Sequence, residues 1–211
     1  MKRYYMFCLF QSFLESHLDV LVDGRQNIKI FFPLCGKTVD MKWLYDLGHT
    51  IVGVEGAQKP VEEFFKENDI EYTVHVVNDV NGHLYQSLDK RISLYLCDIY
   101  DFNSLVEGQF DAIWDRGSFG AINKSERARY AALLLSMMAP GCRYLLDNFS
   151  YDETHYIGPP RNVTEKDMQE LFGSMCDIKL LDTFDMLTPE RAVLHGLNKF
   201  DEQLWLLLPK C

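Results

Sequence analysis

Glu55 closes the apolar run Thr50-Ile-Val-Gly-Val-Glu55 and is followed at once by Gly56. A carboxylate at the end of a buried strand can accept from both hydroxyls of one ribose. Its plainer reading is a helix N-terminal carboxylate ahead of residues 58–68, where the helix dipole favours negative charge. Asp98 follows the apolar run 92–97 in the same way. There it can accept from an adenine amino group while Ile99 packs on the ring face; an exposed loop acid beside Asp101 is the plainer alternative. Asp115 and Arg116 follow a third apolar run, 110–114. As a surface ion pair they would contribute little. Their chemical reading puts Arg116 over a reacting centre, where it orients or polarises an electron-rich acceptor. Asp115 then accepts from the acceptor or from an amino group of a bound ligand.

These groups need elements that bring them to one edge. The segment Lys29-Ile-Phe-Phe-Pro-Leu-Cys-Gly-Lys37 reads as a buried strand (27–32) and a turn, with Thr38 capping a helix to about residue 47 and Gly48 stopping it. Strand 50–55 and a helix over 61–68 follow. Further strands are expected at 72–77, 92–97, 110–114, 143–149, 178–184 and 203–208, with a short edge piece at 85–87. Helices are expected at 13–22, 125–138 and 164–172, the last opened by a Thr164-Glu-Lys-Asp167 capping box. The stretch between the last two strands reads as a mostly irregular loop, long enough to be functional. Alternating strands and helices, with central strands apolar on both faces, predict an α/β, doubly wound, Rossmann-like fold. The expected sheet is mostly parallel and seven-stranded, with one antiparallel edge strand. Ligands then sit outside the carboxyl ends of the strands.

The first turn carries one glycine, Gly36, rather than G-x-G-x-x-G, so it is poorly built for a pyrophosphate and argues against a nicotinamide oxidoreductase. With Trp114-Asp115-Arg116-Gly117 adding polar groups to the same edge, the reading moves to S-adenosyl-L-methionine (SAM). Backbone groups of Leu34, Cys35 and Gly36 can hold its methionine part. The side chain of Cys35 is expected to pack, since no histidine partner is near in sequence.

At 211 residues a single domain, 1–211, is expected, with 1–12 an atypical N-terminal segment. The net charge of −10 repels phosphate backbones and anionic lipid, so neither nucleic acid nor a membrane is an expected partner. Six cysteines without C-x-x-C spacing read as free thiols in the cytoplasm. The six histidines lack metal spacing, so no metal is expected. A monomer is expected.

The motifs Phe31-Phe-Pro-Leu-Cys-Gly-Lys37, Met41-Lys-Trp43, Val52-Gly-Val-Glu55, Ile92-Ser-Leu-Tyr95, Ile113-Trp-Asp-Arg-Gly117, Ala121-Ile-Asn123, Ser150-Tyr-Asp152 and Gly158-Pro-Pro160 closely resemble those of the thiopurine S-methyltransferase family. The resemblance runs from about residue 13 to 210. It implies a class I methyltransferase fold and transfer of a methyl group from SAM to sulfur of a small aromatic or heterocyclic thiol. By it, Leu34, Glu55, Asp98, Ile99 and Arg116 fall on cofactor-contacting positions. The family often has serine where this chain has Asp98. Arg191, in Pro189-Glu-Arg191, matches a family arginine near the thiopurine. The family's N-terminal tryptophans have no counterpart in residues 1–10. The alternative reading is therefore a non-catalytic or weakened SAM-binding paralogue.

Overall fold

The computed structural model describes residues 13–154 and 156–210. The expectations placed on residues 1–12 lie outside the described residues. The chain divides into two compact units, Met1–Ala112 and Ile113–Cys211.

The first unit contains α1 (Leu18–Val22), β1 (Lys29–Phe32), α2 (Val39–Asp46), β2 (Thr50–Glu55), α3 (Gln58–Glu67), β3 (Tyr72–Val77), β4 (Gly82–Ser87), β5 (Ile92–Leu96), α4 (Ser104–Glu107) and the start of β6 (Phe110–Arg116). Its strands lie in the order β3-β4-β5-β2-β1-β6. β2 runs parallel to β1 and β5, with Glu55 opposite Leu96. Ile51, Val52 and Val54 are buried, as strand residues covered on both faces must be. Thr38 caps α2 by accepting from the Asp40 N–H. Gly48, at φ +97°, turns the chain out of that helix into β2. α3 begins three residues earlier than expected because Pro60 sits in its first turn, where no N–H is required of it.

β4 corrects the expected edge piece at 85–87. It is a six-residue strand, antiparallel to both β3 and β5. The Asn81-Gly-His stretch reads as a turn because it lacks apolar alternation. Gly82 is there for space: a Cβ on it would lie 2.2 Å from the Leu96 carbonyl oxygen. Gly82→Ala is expected to destabilise the fold by about 1–3 kcal/mol through overpacking, seen as a lower urea midpoint.

The second unit holds the end of β6, then α5 (Ser118–Ala121), α6 (Arg127–Ser136), β7 (Met138–Tyr151), α7 (Glu165–Phe172), β8 (Cys176–Asp185), α8 (Pro189–His195) and β9 (Phe200–Pro209). The strand order is β6-β7-β9-β8. β9 is antiparallel to both β7 and β8. The antiparallel strand is therefore interior and not at the edge. Leu204, Trp205, Leu206 and Leu207 make β9 the more apolar arm of its hairpin, so it takes the covered position. β8, with Lys179, Asp182 and Asp185, is left outside as a charged edge. Among the described residues the sheet has nine strands and not seven.

Two boundaries also shift. α6 stops at Ser136 and β7 starts at Met138, although Pro140-Gly141 reads as a break. The paired ladder of β7 with β9 begins only at Tyr144, so the proline lies outside it. The expected irregular loop contains α8, opened by Pro189 and by Thr188, which accepts from the Arg191 N–H. α8 buries no residue, so it has no apolar periodicity to read. The Thr164–Asp167 capping box of α7 is present as expected.

Candidate active site

In the first unit, three neighbouring strands, β1, β2 and β5, deliver the expected cofactor residues at their carboxyl ends. The turn after β1 places Leu34 at φ +44° and Gly36 at φ +53°. Left-handed backbone at a leucine costs about 1 kcal/mol, so the surroundings must hold it. The Cys35 N–H donates to the Val54 carbonyl oxygen (2.9 Å) and the Gly36 N–H to Glu55 Oε2 (2.9 Å). The other Glu55 oxygen, Oε1, accepts from the Ala57 N–H (2.9 Å), just ahead of α3. The helix-start reading of Glu55 is thus met, with the side chain left at the end of β2. The carboxylate fixes a turn and a helix start through one lone pair per oxygen, and each oxygen keeps another for a hydroxyl donor. The partly buried side chain cannot rotate without breaking both bonds.

Cys35 packs, as expected. It is buried against Gly53, and burial together with Glu55 raises its thiol far above the ordinary range. Only its backbone is available to a ligand. Asp98 is exposed and accepts from the Tyr100 N–H through Oδ1 (2.9 Å), capping a short 3-10 turn. Its second oxygen can take an amine. Ile99 is buried, with 5% of its surface exposed, so only an edge of its side chain is left to touch a ring. What these strand ends offer a ligand is an anchored carboxylate, a turn with left-handed backbone at Leu34 and Gly36, and a second, exposed acid.

In the second unit, Asp115 and Arg116 are consecutive on β6, so their side chains leave opposite faces. Asp115 is fully buried. Its Oδ1 accepts from the Ser118 hydroxyl and the Phe119 N–H, and its Oδ2 from the Tyr144 hydroxyl (2.8 Å). Ser118 in turn accepts from Tyr130 (2.8 Å), because its own proton is committed to Asp115. Both oxygens are occupied by the protein, so the structure gives Asp115 the work of tying β6, α5, α6 and β7 together.

Burial pushes the Asp115 carboxyl up to about 6, against hydrogen bonds from Ser118 and Tyr144 that pull it down. The folded value lies above that of the unfolded chain. Its contribution to stability is therefore complete below about pH 4 and is lost as pH rises through about 6. Asp115→Asn removes this titration. Wild-type stability relative to that variant is expected to fall by of order 3 kcal/mol between pH 4 and pH 7, measured by urea unfolding at each pH.

Two carboxyls absent from the expected set respond to the charges of Arg116 and Arg191. Asp147 on β7 and Glu202 on β9 are buried on one face of their ladder. The charge of Arg116 acts on both, and that of Arg191 on Glu202. Arg191 donates to the Met186 carbonyl oxygen (2.8 Å) and stacks over Phe200, 4.8 Å from the ring centre. Phe200 also meets Phe149 and Tyr151, and Tyr151 meets Tyr156, which packs on His195. An arginine against an aromatic group suits a flat, electron-rich, anionic ligand. A signal for one of the missed carboxyls does exist in the sequence. Asp147 directly follows the apolar run Tyr144–Leu146, where an unexplained charge marks a candidate site; Glu202, within Asp201-Glu-Gln203, gives no such signal.

Comparison with known proteins adds to this arrangement. The sequence profile of the thiopurine S-methyltransferase (TPMT) family matches residues 9–210. A probable thiopurine S-methyltransferase of Danio rerio is 46% identical over 200 residues, covering 94% of this chain and 86% of that protein. The thiopurine S-methyltransferase of Bos taurus is 41% identical over 198 residues, covering 93% and 80%. A TehB-like SAM-dependent methyltransferase of Corynebacterium glutamicum superposes with a TM-score of 0.57 at 12% identity, covering 98% of this chain and 99% of that one. Magnesium protoporphyrin IX methyltransferase of Synechocystis, solved with bound SAM, gives 0.62 at 14% identity, covering 94% and 79%. At such identities the two structures speak to the fold alone, which is that of class I SAM-dependent methyltransferases.

Proposed function

The chain belongs to the thiopurine S-methyltransferase family, and from that premise we propose how its residues divide the work of a SAM-dependent thiopurine S-methyltransferase. Its reaction moves the methyl group of SAM to the sulfur of an aromatic or heterocyclic thiol. SAM, when bound, supplies a methyl group already activated on a sulfonium. Glu55 holds the ribose, the backbone of Leu34, Cys35 and Gly36 holds the methionine part, and Asp98 with Ile99 takes the adenine. Arg116 and Arg191 take the acceptor.

The methyl carbon would pass to the thiol sulfur with the sulfonium keeping the bonding pair as a neutral thioether, and the acceptor's proton would already have gone to solvent, so the residues here need only hold the thiol as its anion. Aromatic thiols ionise near neutral pH, so no protein base is required. What the arginines contribute is a preference for the anion and a fixed direction for its lone pair. Asp115 acts on this chemistry only by holding β6, and with it Arg116.

The observation that carries the reading is the Glu55 carboxylate, anchored by the Gly36 and Ala57 N–H groups at the end of β2. Family membership with relatives named as enzymes favours catalysis over a SAM-binding paralogue. The buried free thiols of Cys35, Cys97 and Cys176 suit a reducing compartment, so we place the enzyme in the cytoplasm. Among the described residues, no helix is long and apolar enough to cross a membrane.

The test is calorimetric titration of the purified chain with S-adenosylhomocysteine, with NAD as control, followed by methylation of an aryl thiol. Micromolar binding, none to NAD, and a methyl thioether product are expected. A folded sample that binds NAD instead, or that binds S-adenosylhomocysteine yet methylates no thiol, overturns the reading.

A further inference from the structure

Asp147 and Glu202 stand diagonally on the same face of the β7–β9 ladder. Asp147 lies opposite Leu204 and Glu202 opposite Phe149, so the period of two puts both acids on one side, one step apart. They are 2% and 4% exposed. One oxygen of Asp147, Oδ1, is buried and meets no donor. Two buried carboxyls so placed cannot both be ionised without a donor between them.

The groups around the pair are few. β6 supplies Arg116, beside Asp147 and Glu202, and Asp115, which adds its negative charge to Asp147. α8 supplies Arg191. Across the ladders, Phe149 and Phe184 face Glu202 and Leu204 faces Asp147; beyond Leu204, on the same face, β8 adds the exposed Asp182. The Gly117 N–H donates to the Asp147 carbonyl oxygen (3.1 Å), which ties the end of β6, next to Arg116, to this point of β7.

We propose that Asp147 and Glu202 hold one proton between them and are the positioning residues of Arg116 and Arg191, setting the charge that the two arginines show to the acceptor. The proposal rests on the reading above, in which those arginines take the thiol anion. On the face of the sheet that carries the pair, with Asp115 on the opposite face of β6, one proton on the pair leaves two guanidinium charges facing one carboxylate charge. One positive charge is left over, which matches a singly charged thiolate. When the second proton leaves, the cluster becomes neutral and its hold on an anion weakens. Burial raises both carboxyls and the charge of Glu202 raises Asp147 further, so that second loss is moved upward in pH. The pair thus makes the enzyme choose an anionic acceptor over a neutral one, and makes that choice depend on pH.

The experiment follows the acceptor KM from pH 6 to 9.5, using an electron-poor aryl thiol that is ionised throughout the range. Wild type, Asp147→Asn and Glu202→Gln are compared, with S-adenosylhomocysteine affinity recorded in parallel. In wild type the acceptor KM is expected to rise about tenfold towards the alkaline end, the loss expected when one net charge near the anion disappears. Either single variant keeps one carboxylate that stays ionised beside the arginines, so its KM is expected to stay flat, while affinity for S-adenosylhomocysteine is unchanged in all three. Infrared spectra of the wild type at neutral pH should carry a protonated-carboxyl band that Asp147→Asn lacks. This readout needs no turnover and stands if one variant fails to fold. Coincident KM profiles, or the absence of that band, overturn the proposal. Arg116→Ala separates the two levels: if it raises the acceptor KM while the profiles coincide, the proposal fails and the acceptor reading stands. If it leaves the KM unchanged, both fail.

Discussion

Glu55→Ala is expected to weaken S-adenosylhomocysteine binding by about 10²–10⁴-fold while leaving a folded protein. Two hydroxyl donors to an ionised acceptor contribute about 1.5–3 kcal/mol each, and both are lost together. A second effect adds to the first. The carboxylate also accepts from the Gly36 and Ala57 N–H groups, so its removal frees the turn that carries the strained Leu34. Glu55→Gln separates the contributions. It keeps one oxygen acceptor but turns an amide N–H₂ towards a backbone donor, so an intermediate loss is expected. Calorimetry on both variants, with near-ultraviolet circular dichroism to confirm packing, decides the matter. Binding within about threefold of wild type for the alanine variant would remove Glu55 from the ribose site, because even one lost charged hydrogen bond exceeds that.

Arg116→Ala should lower kcat/KM for an anionic aryl thiol by about 10²–10³-fold, the usual cost of removing a preorganised charge from a reacting centre. The change is expected to fall on the acceptor side. Arg116 was expected at cofactor-contacting positions as well, and the affinity for S-adenosylhomocysteine tells the two roles apart. A change of less than about fivefold there, with turnover collapsed, assigns Arg116 to the acceptor; parallel losses assign it to the cofactor. Arg116→Lys keeps the charge and loses the planar fork, so partial activity is expected if charge is what matters and little if two-point orientation is. Removing Arg116 also takes away a positive charge that acts on both Asp147 and Glu202, so those carboxyls should hold their protons more tightly.

The front of the chain was legible because its rules are local. Thr38, the helix behind it, Gly48 and the run 50–55 each follow from neighbours within a few residues, and β2 begins and ends where its apolar residues do. Glu55 could be singled out for the same reason: it is a carboxylate at the end of such a run, followed by a glycine. The Thr164–Asp167 capping box is another case of nearest-neighbour chemistry. β4 and α8 were not legible. One depends on a close approach that Gly82 permits, and the other lies outside the core and shows no apolar stripe.

The fate of the polar groups was decided at longer range. A period of two says that Asp115 and Arg116 face opposite sides of their strand, but not which side is buried. Tyr144, Ser118 and Tyr130 make that choice by closing around Asp115, from a strand and two helices that β6 alone does not specify. Asp147 and Glu202 are far apart in the chain, the one an acid after an apolar run and the other one of three polar residues in a row. They become a pair because β9, the more apolar arm of its hairpin, takes the interior place beside β7 in the register that sets Leu204 opposite Asp147. Composition and periodicity determine which residues a strand must bury. Which strand lies next to it, and in what register, is settled only when all the apolar faces compete for cover at once, and the charges that end up touching are a consequence of that competition.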